Sequence, residues 1–227
     1  IANAISLKTG DAGFYLDKQY YTPTRSEKDK KTRNKNVLFF NTRFFAGLTS
    51  DEEKLRRDVV KHPELKEYRR GGTRQNNVLP VWAAFSYFEM GTIVMLYSYL
   101  RGDLRKEVLN YTYPGNNYKK ETTKQMDTWL DAIRNLRNYC AHHSMLAGMT
   151  SSVVIPDNRD SSDVLPDNTN LYSRLYALKK ILPQKDGDML AEELDKLIWK
   201  TKLDIYKMNI LPTNWRALYN KILSLHG

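Results

Sequence analysis

The side chains that could do chemistry are concentrated in one run of the chain, Arg137 to His143, which reads RNYCAHH. An arginine binds phosphate through a planar fork of donors, and a histidine exchanges protons near neutral pH. The amide of Asn138 can orient either group or bond a phosphate oxygen. These groups suffice for cleaving RNA without a metal ion, because the ribose 2′-hydroxyl itself can act as the nucleophile.

The elements that must position this run are predicted to be helices. Apolar residues recur at helical spacing along most of the chain, and period-2 alternation is absent apart from a weak segment at 151–155. We therefore predict an all-α helical bundle, with a basic, partly irregular segment over 1–50 and a helical domain over 51–227. The predicted helices are 1–8, 51–68, 80–100, 103–110, 119–146, 169–182, 188–207 and 212–225.

Composition restricts the setting of the protein. The formal net charge of +10 favours anionic partners such as nucleic acid. The single cysteine, Cys140, excludes a disulfide within the chain and a cysteine-rich zinc site, which favours the cytoplasm. The apolar run 78–100 approaches the length of a membrane span, but Glu89 near its centre would be costly in lipid, so no membrane association is predicted. No signal peptide is predicted. The chain begins with Ile1 and not with Met, which predicts a start inside a longer protein.

A helical wheel for residues 119–147 separates the reactive side chains into two stripes. The apolar stripe, predicted to face the core, contains Trp129, Ile133, Leu136, Cys140 and His143. The polar stripe contains Asp127, Asp131, Arg134, Asn138 and His142. This projection predicts that His142 is the reactive imidazole and that His143 is structural support.

Two alternatives for the histidines stay open at this point. Both could simply complement the negative end of the helix dipole. Asp127, Asp131 and His142 could contribute to a metal site, but adjacent histidines diverge by about 100° on a helix and cannot share one ion. We therefore predict no metal ion and no other cofactor.

The spacing of Arg137 and His142 favours a homodimer. Their side chains diverge by about 140° on the wheel, so one helix would struggle to aim both at one phosphate. The sequence holds a single copy of the run. Two copies of the helix packed about a two-fold axis would surround a shared cleft with both kinds of group.

These residues carry a family resemblance. Residues 136–143, LRNYCAHH, resemble the Arg-Asn-x-x-Ala-His-His motif of Abi-like abortive-infection proteins of the AbiD/AbiF type, which belong to the HEPN superfamily. The segments 79–82, LPVW, and 129–133, WLDAI, are similar to two further family segments. The resemblance covers about residues 1–182. It departs from the family at Ser86, at Met145-Leu146, and in lacking several N-terminal helices.

The resemblance implies a HEPN-type bundle and a metal-independent endoribonuclease toxin used against phage. It implies catalytic roles for Arg137, Asn138 and His142, with support from His143 and Arg134. Some family members are encoded beside a structured noncoding RNA that binds and restrains them, so RNA is expected as substrate and as a possible regulatory partner. The alternatives are an RNA-binding component of a defence ribonucleoprotein that does not cleave, and a protein-interaction role in a defence complex.

Basic residues interleaved with aromatic ones, mostly in segment 18–45, are expected to hold RNA by neutralising phosphates and stacking on unpaired bases. The alternative is a solvated loop that its aromatic rings anchor to the core. The expected RNA-binding residues are Lys28, Lys30, Lys31, Arg33, Lys35, Arg43, Arg56, Arg57, Arg69 and Arg70.

Overall fold

The computed structural model describes residues 1–22, 42–58, 61–65, 68, 78–115, 118, 120–155, 165–202 and 204–226. Within these residues every regular element is a helix, and the β structure is limited to one isolated antiparallel bridge between Tyr21 and Leu100. The predicted all-α class is confirmed. The chain divides into two compact units, Ile1–Thr112 and Tyr113–Gly227. The predicted segment boundary at residue 50 falls inside a helix of the first unit.

The first unit begins with the helix that the sequence predicts. Helix α1 spans Ala2–Thr9 and ends at Gly10, whose φ of 69° is the left-handed conformation that glycine adopts without penalty. The following helices are α2 (Thr42–Arg57), α3 (Val81–Ala84), α4 (Met90–Tyr99) and α5 (Gly102–Thr112). Short 3₁₀ turns lie at Phe14–Leu16, Lys18–Tyr20 and Pro63–Leu65. Helix α1 packs against α5 and α3.

A buried carboxylate joins α2 to the start of α3. Glu52 is 2% exposed, accepts a hydrogen bond of 2.9 Å from the Leu79 backbone amide, and lies 3.4 Å from Nε of Arg56. The Tyr15 hydroxyl donates to the Leu79 carbonyl oxygen at 2.8 Å. Burial, and then the nearby Glu52 charge, raise the pKa of Tyr15. These contacts fix the LPVW segment against α2.

Several helix boundaries in the first unit differ from the prediction, and one is the end of α2, which lies at Arg57 and not at residue 68. Helix α2 begins at Thr42, because Phe45 and Leu48 are buried and extend its apolar face upstream of Ser50. The predicted helix 80–100 is two helices, α3 and α4, since Glu89 has an extended backbone with ψ of 144° that interrupts helical geometry.

The second unit is built around one central helix, Leu171–Ile181. Its helices are α6 (Lys120–Ala141), α7 (Leu171–Ile181), α8 (Gln184–Thr201) and α9 (Trp215–Asn220). Helices α6, α8 and α9 all contact α7. Helix α8 starts earlier than the predicted 188–207. It also ends earlier, because Lys202 adopts a left-handed φ of 53° that terminates it. Helix α9 is shorter than the predicted 212–225.

Helix α7 buries charged side chains as well as apolar ones. Lys179 is fully buried, forms an ion pair with Asp188, and lies 5.1 Å from the centre of the Tyr219 ring. The hydrogen bond from Lys179 lowers the pKa of Asp188. Lys180 donates to the Leu223 carbonyl oxygen at 3.2 Å. Each buried ammonium group thus has a polar partner, as burial in a low-dielectric interior requires.

Among the described helices, none combines the length and the apolar character that crossing a bilayer requires.

Two glycine substitutions should have opposite effects on stability, because Gly187 lies against Lys179 and Gly47 has open space around it. A Cβ atom at Gly187 would lie 2.6 Å from a Lys179 methylene, so Gly187→Ala should destabilise the protein by about 1–3 kcal/mol. Gly47→Ala, in α2, has nothing within 4 Å of its new Cβ and should stabilise by about 1 kcal/mol. Urea unfolding of both variants measures the difference; equal effects would contradict the packing described here.

Candidate functional site

The predicted reactive run lies at the end of α6, and a specific hydrogen-bond pattern ends the helix there. The amide of Ser144 donates to the Tyr139 carbonyl oxygen at 2.8 Å, and the amide of His143 donates to the Cys140 carbonyl oxygen at 3.2 Å. This pair of bonds is the Schellman motif, which places His142 at the C-cap and His143 one position beyond it. The helix therefore ends at Ala141, before the predicted residue 146.

His143 occupies the position of that motif where glycine is most frequent. Its φ is 51°, a left-handed conformation that is uncommon for any residue with a Cβ atom. Such a conformation costs about 1–2 kcal/mol in an L-residue. Strained backbone that the surroundings hold in place clusters at functional sites. His143 holds a backbone conformation that glycine would adopt without steric penalty.

The reactive run is open to solvent over most of its length. The side chains of Arg137, His142 and His143 are exposed and that of Asn138 is half-buried. One Arg137 guanidinium nitrogen donates to Oδ1 of Asn138 at 3.2 Å. All four residues thus lie in the last turns and the cap of α6, and the Asn138 side chain is oriented toward that of Arg137.

Four of the five positions of the predicted core stripe lie outside the buried core, and two of them, Ile133 and Leu136, are half-buried. Cys140 and His143 are both exposed, so the prediction that His143 faces the interior is wrong. Because α6 ends at Ala141, a continuous helical wheel does not describe the direction of either histidine. Trp129, farther back along α6, is 2% exposed as predicted.

Arg134, a supporting candidate, is already paired. Its guanidinium bonds the Asp131 carboxylate at 2.7 Å and 2.6 Å, one helical turn earlier. Both side chains are half-buried. This pair reduces the charge that Arg134 can offer to a phosphate, and the Arg137 guanidinium is the more exposed of the two.

Arg174, in α7, is a residue that sequence reasoning missed. It is fully buried, and its guanidinium donates to the carbonyl oxygens of Val153 and Asn168. These two carbonyls belong to the connection between α6 and α7. Burial lowers the pKa of Arg174, whereas the charges of Asp131, Asp167 and Tyr139 raise it. An arginine inside the aromatic run 171–177, LYSRLYA, was the available signal.

Arg174 therefore supports the segment that follows the reactive run. Two backbone bonds close the connection on itself, from the Ser151 amide to the Thr169 carbonyl oxygen at 3.1 Å and from the Ile155 amide to the Asn168 carbonyl oxygen at 3.2 Å. Ile155 is fully buried. The chain leaving α6 is thus bonded to Arg174 of α7 through the guanidinium, and to the residues just before α7 through the main chain.

Most of the residues expected to bind RNA lie outside the described part of the chain: Lys28, Lys30, Lys31, Arg33, Lys35, Arg69 and Arg70. Arg43 belongs to α2, and its side chain is not described. Arg57 is exposed and bonds Glu53 at 3.0 Å, whereas Arg56 lies against the buried Glu52. Of the described residues in the expected set, Arg57 has its guanidinium most accessible to an anion.

No group of three or more histidine, cysteine, aspartate or glutamate side chains suited to holding a metal ion is present in the part of the chain that the structure describes.

The fold and the site define an all-helical protein that displays an arginine and two histidines at an uncovered helix end. A family profile described as Abi-like protein matches residues 1–147, which include the whole reactive run. The chain belongs to the Abi-like protein family, and this membership associates it with abortive-infection defence. No curated protein and no solved structure matches the chain.

The strained cap predicts an unusual stability effect. His143→Gly should raise the free energy of unfolding by about 1 kcal/mol, because glycine adopts a positive φ without steric penalty. His142→Gly is the matched control, since His142 has no positive φ to relieve, and it should not stabilise. Thermal or urea unfolding distinguishes them. A loss of stability in His143→Gly equal to that of the control would contradict the left-handed cap.

Proposed function

We propose that this protein is a metal-independent HEPN endoribonuclease of an anti-phage abortive-infection system. The observation that carries the proposal is the RNYCAHH run at the end of α6, where one guanidinium and two imidazoles are exposed together. Family membership supports the defence role. The net charge of +10 supports an anionic substrate.

The proposed reaction uses the RNA's own nucleophile. The ribose 2′-oxygen loses its proton to a base and bonds to the adjacent phosphorus. The bond from phosphorus to the 5′-oxygen breaks, and the leaving oxygen takes a proton from an acid. The products are a 2′,3′-cyclic phosphate and a 5′-hydroxyl, so the reaction consumes no water and needs no metal-bound hydroxide.

The residue roles follow from the chemistry of each group. His142 transfers a proton as general base or general acid. Arg137 binds the phosphate and stabilises the charge that develops in the transition state. Asn138 bonds Arg137 in the structure and so orients its guanidinium. His143 and Arg134 support these groups.

A homodimer completes the proposed site. Arg137 and His142 from two copies would surround one scissile linkage on a two-fold axis. The uncovered state of the α6 end supports this arrangement, since Cys140 to Met145 are all exposed and Met145 is 76% exposed. An apolar side chain of this kind beside a polar site is a typical element of a protein interface.

RNA has two proposed roles for this protein, as the substrate and as a structured noncoding partner that restrains cleavage. The basic segment between α1 and α2, together with Arg56 and Arg57, would supply cations for the RNA backbone. We place the protein in the cytoplasm, where both RNAs would be encountered.

Cleavage should proceed in EDTA and leave cyclic phosphate ends. His142→Ala should lower the rate about 10²–10⁴-fold, because proton transfer contributes that much. Arg137→Ala should lower it about 10²–10³-fold, through lost charge stabilisation. Gel analysis of a labelled RNA measures both rates, and an RNA with 2′-deoxyribose at the cleaved position should be inert.

Lys54→Ala is the control, since Lys54 is an exposed helix cation outside the site. RNA binding without cleavage at any protein concentration would instead support a non-cleaving component of a defence ribonucleoprotein. Cleavage that survives in His142→Ala would refute the assigned role.

A composite site predicts complementation between two inactive variants. Mixing Arg137→Ala with His142→Ala should restore part of the activity, because a mixed dimer retains one arginine and one histidine at the shared cleft. Rate measurements after co-refolding or subunit exchange test this. If the mixture is no more active than either variant alone, the site is not shared between copies.

A further inference from the structure

Arg134 lies one helical turn before Arg137, on the same side of α6. Their positions are about 60° apart around the helix, and the Cβ atoms of residues at this spacing lie about 5–6 Å apart. The Arg134 side chain is 33% exposed, so it is not sealed inside the unit, and Arg137 is exposed as well. Two guanidinium groups at this separation can meet successive phosphates of one nucleic-acid strand.

The guanidinium of Arg134 is occupied by a carboxylate. Its Nε donates to Oδ1 of Asp131 at 2.7 Å, and one of its terminal nitrogens lies 2.6 Å from the same oxygen. The Asp131 side chain is 36% exposed, and a pair with this much access to solvent contributes little. Arginine binds carboxylate and phosphate through the same fork of donors. Asp131 therefore holds the place that a phosphate would take.

A second guanidinium lies near the Asp131 carboxylate. Helices α6 and α7 pack against each other, and Arg174 of α7 is fully buried. Among the described residues, the buried Nε of Arg174 has no hydrogen-bond acceptor. Burial lowers the pKa of Arg174 and the charge of Asp131 opposes that effect, so the two groups are close enough to interact.

The unpaired nitrogen of Arg174 reduces the cost of separating Asp131 from Arg134. A buried donor without an acceptor is destabilising, and an ionised acceptor forms a stronger bond with it than a neutral one does. A carboxylate that leaves Arg134 and turns toward Arg174 exchanges one guanidinium for another. Arg134 can thus be released without leaving a carboxylate unpaired.

We propose that Arg134 binds a second phosphate of the RNA, beside the phosphate at Arg137, and that Asp131 occupies this second site until RNA displaces it. The second site rests on the proposed function, since it takes RNA as the ligand of the same helix. The displaced carboxylate turns to Nε of Arg174. Asp131 is thus a competitor built into the site, and it sets the affinity for RNA.

The test counts phosphate contacts through the salt dependence of RNA binding. The probe is a fluorescein-labelled single strand whose 2′-hydroxyls are all methylated, so that it lacks the nucleophile, and fluorescence anisotropy measures its affinity over a range of salt. Arg134→Gln should lower the slope of log affinity against log salt by about 0.7, the loss of one contact on a single strand. Arg134→Lys should keep the slope but bind more weakly, because an ammonium group lacks the bidentate fork.

Removing the competitor should have the opposite effect. Asp131→Asn should raise the affinity about two- to fivefold, because RNA then has no ion pair to displace. Asp204→Asn is the matched control, since it removes the same charge and frees Lys207, an exposed cation outside α6, and it should raise the affinity less. Combining Asp131→Asn with Arg134→Gln should abolish the gain beyond that of the control. Circular dichroism verifies that each variant is folded.

An unchanged slope in Arg134→Gln, together with a lower slope in Arg137→Gln, would overturn the second site and leave the nuclease proposal standing. A gain in Asp131→Asn no larger than that of the control would overturn it too. Cleavage of unmodified RNA is measured separately. Wild-type protein that shows the expected slopes but does not cleave would contradict the nuclease and support the second site.

Discussion

The second unit depends on the burial of α7, a helix that carries three cations into the interior. Each of the three has defined polar partners, and for Arg174 these are main-chain carbonyls of the connection that follows α6. A buried guanidinium without such partners would be strongly destabilising. The bonds that stabilise the buried Arg174 guanidinium also fix the path of the chain after the reactive run.

That path determines how the reactive residues are presented. The Schellman cap stops α6 at Ala141, and the left-handed backbone of His143 turns the chain away from the helix axis. Both imidazoles therefore lie at an exposed helix end, in the same short run as the exposed Arg137. Glycine at position 143 would form the same cap with less strain.

Local signals in the sequence predicted part of this fold. Glycine after α1 marked its end, and the all-α class followed from apolar spacing. The end of α6 was not predictable in this way, because histidine occupies the position where glycine usually signals a cap. The break at Glu89 was also missed, since nothing in its local composition forbids a continuous helix.

For the candidate site, the structure tests the exposure of the predicted residues, and their catalytic roles stay predictions. Residue types alone selected Arg137, Asn138 and His142, and a motif resemblance added the same three. Their exposure required the structure, because a helical wheel assumes that the helix continues through His143. Arg174 could not be assigned from spacing, since its partners are main-chain atoms of an irregular connection. Only tertiary structure shows which carbonyl groups a buried arginine satisfies.

The central claim is that the exposed end of α6 binds the phosphate at which RNA is cleaved. The most direct measurement is a crystal structure with an RNA that has a single 2′-deoxy nucleotide at the cleaved position. The account predicts the adjacent phosphate within about 3 Å of the Arg137 guanidinium and of a His142 imidazole, a hydrogen-bonding distance. RNA bound elsewhere, with Arg137 and both histidines still facing solvent, would contradict it.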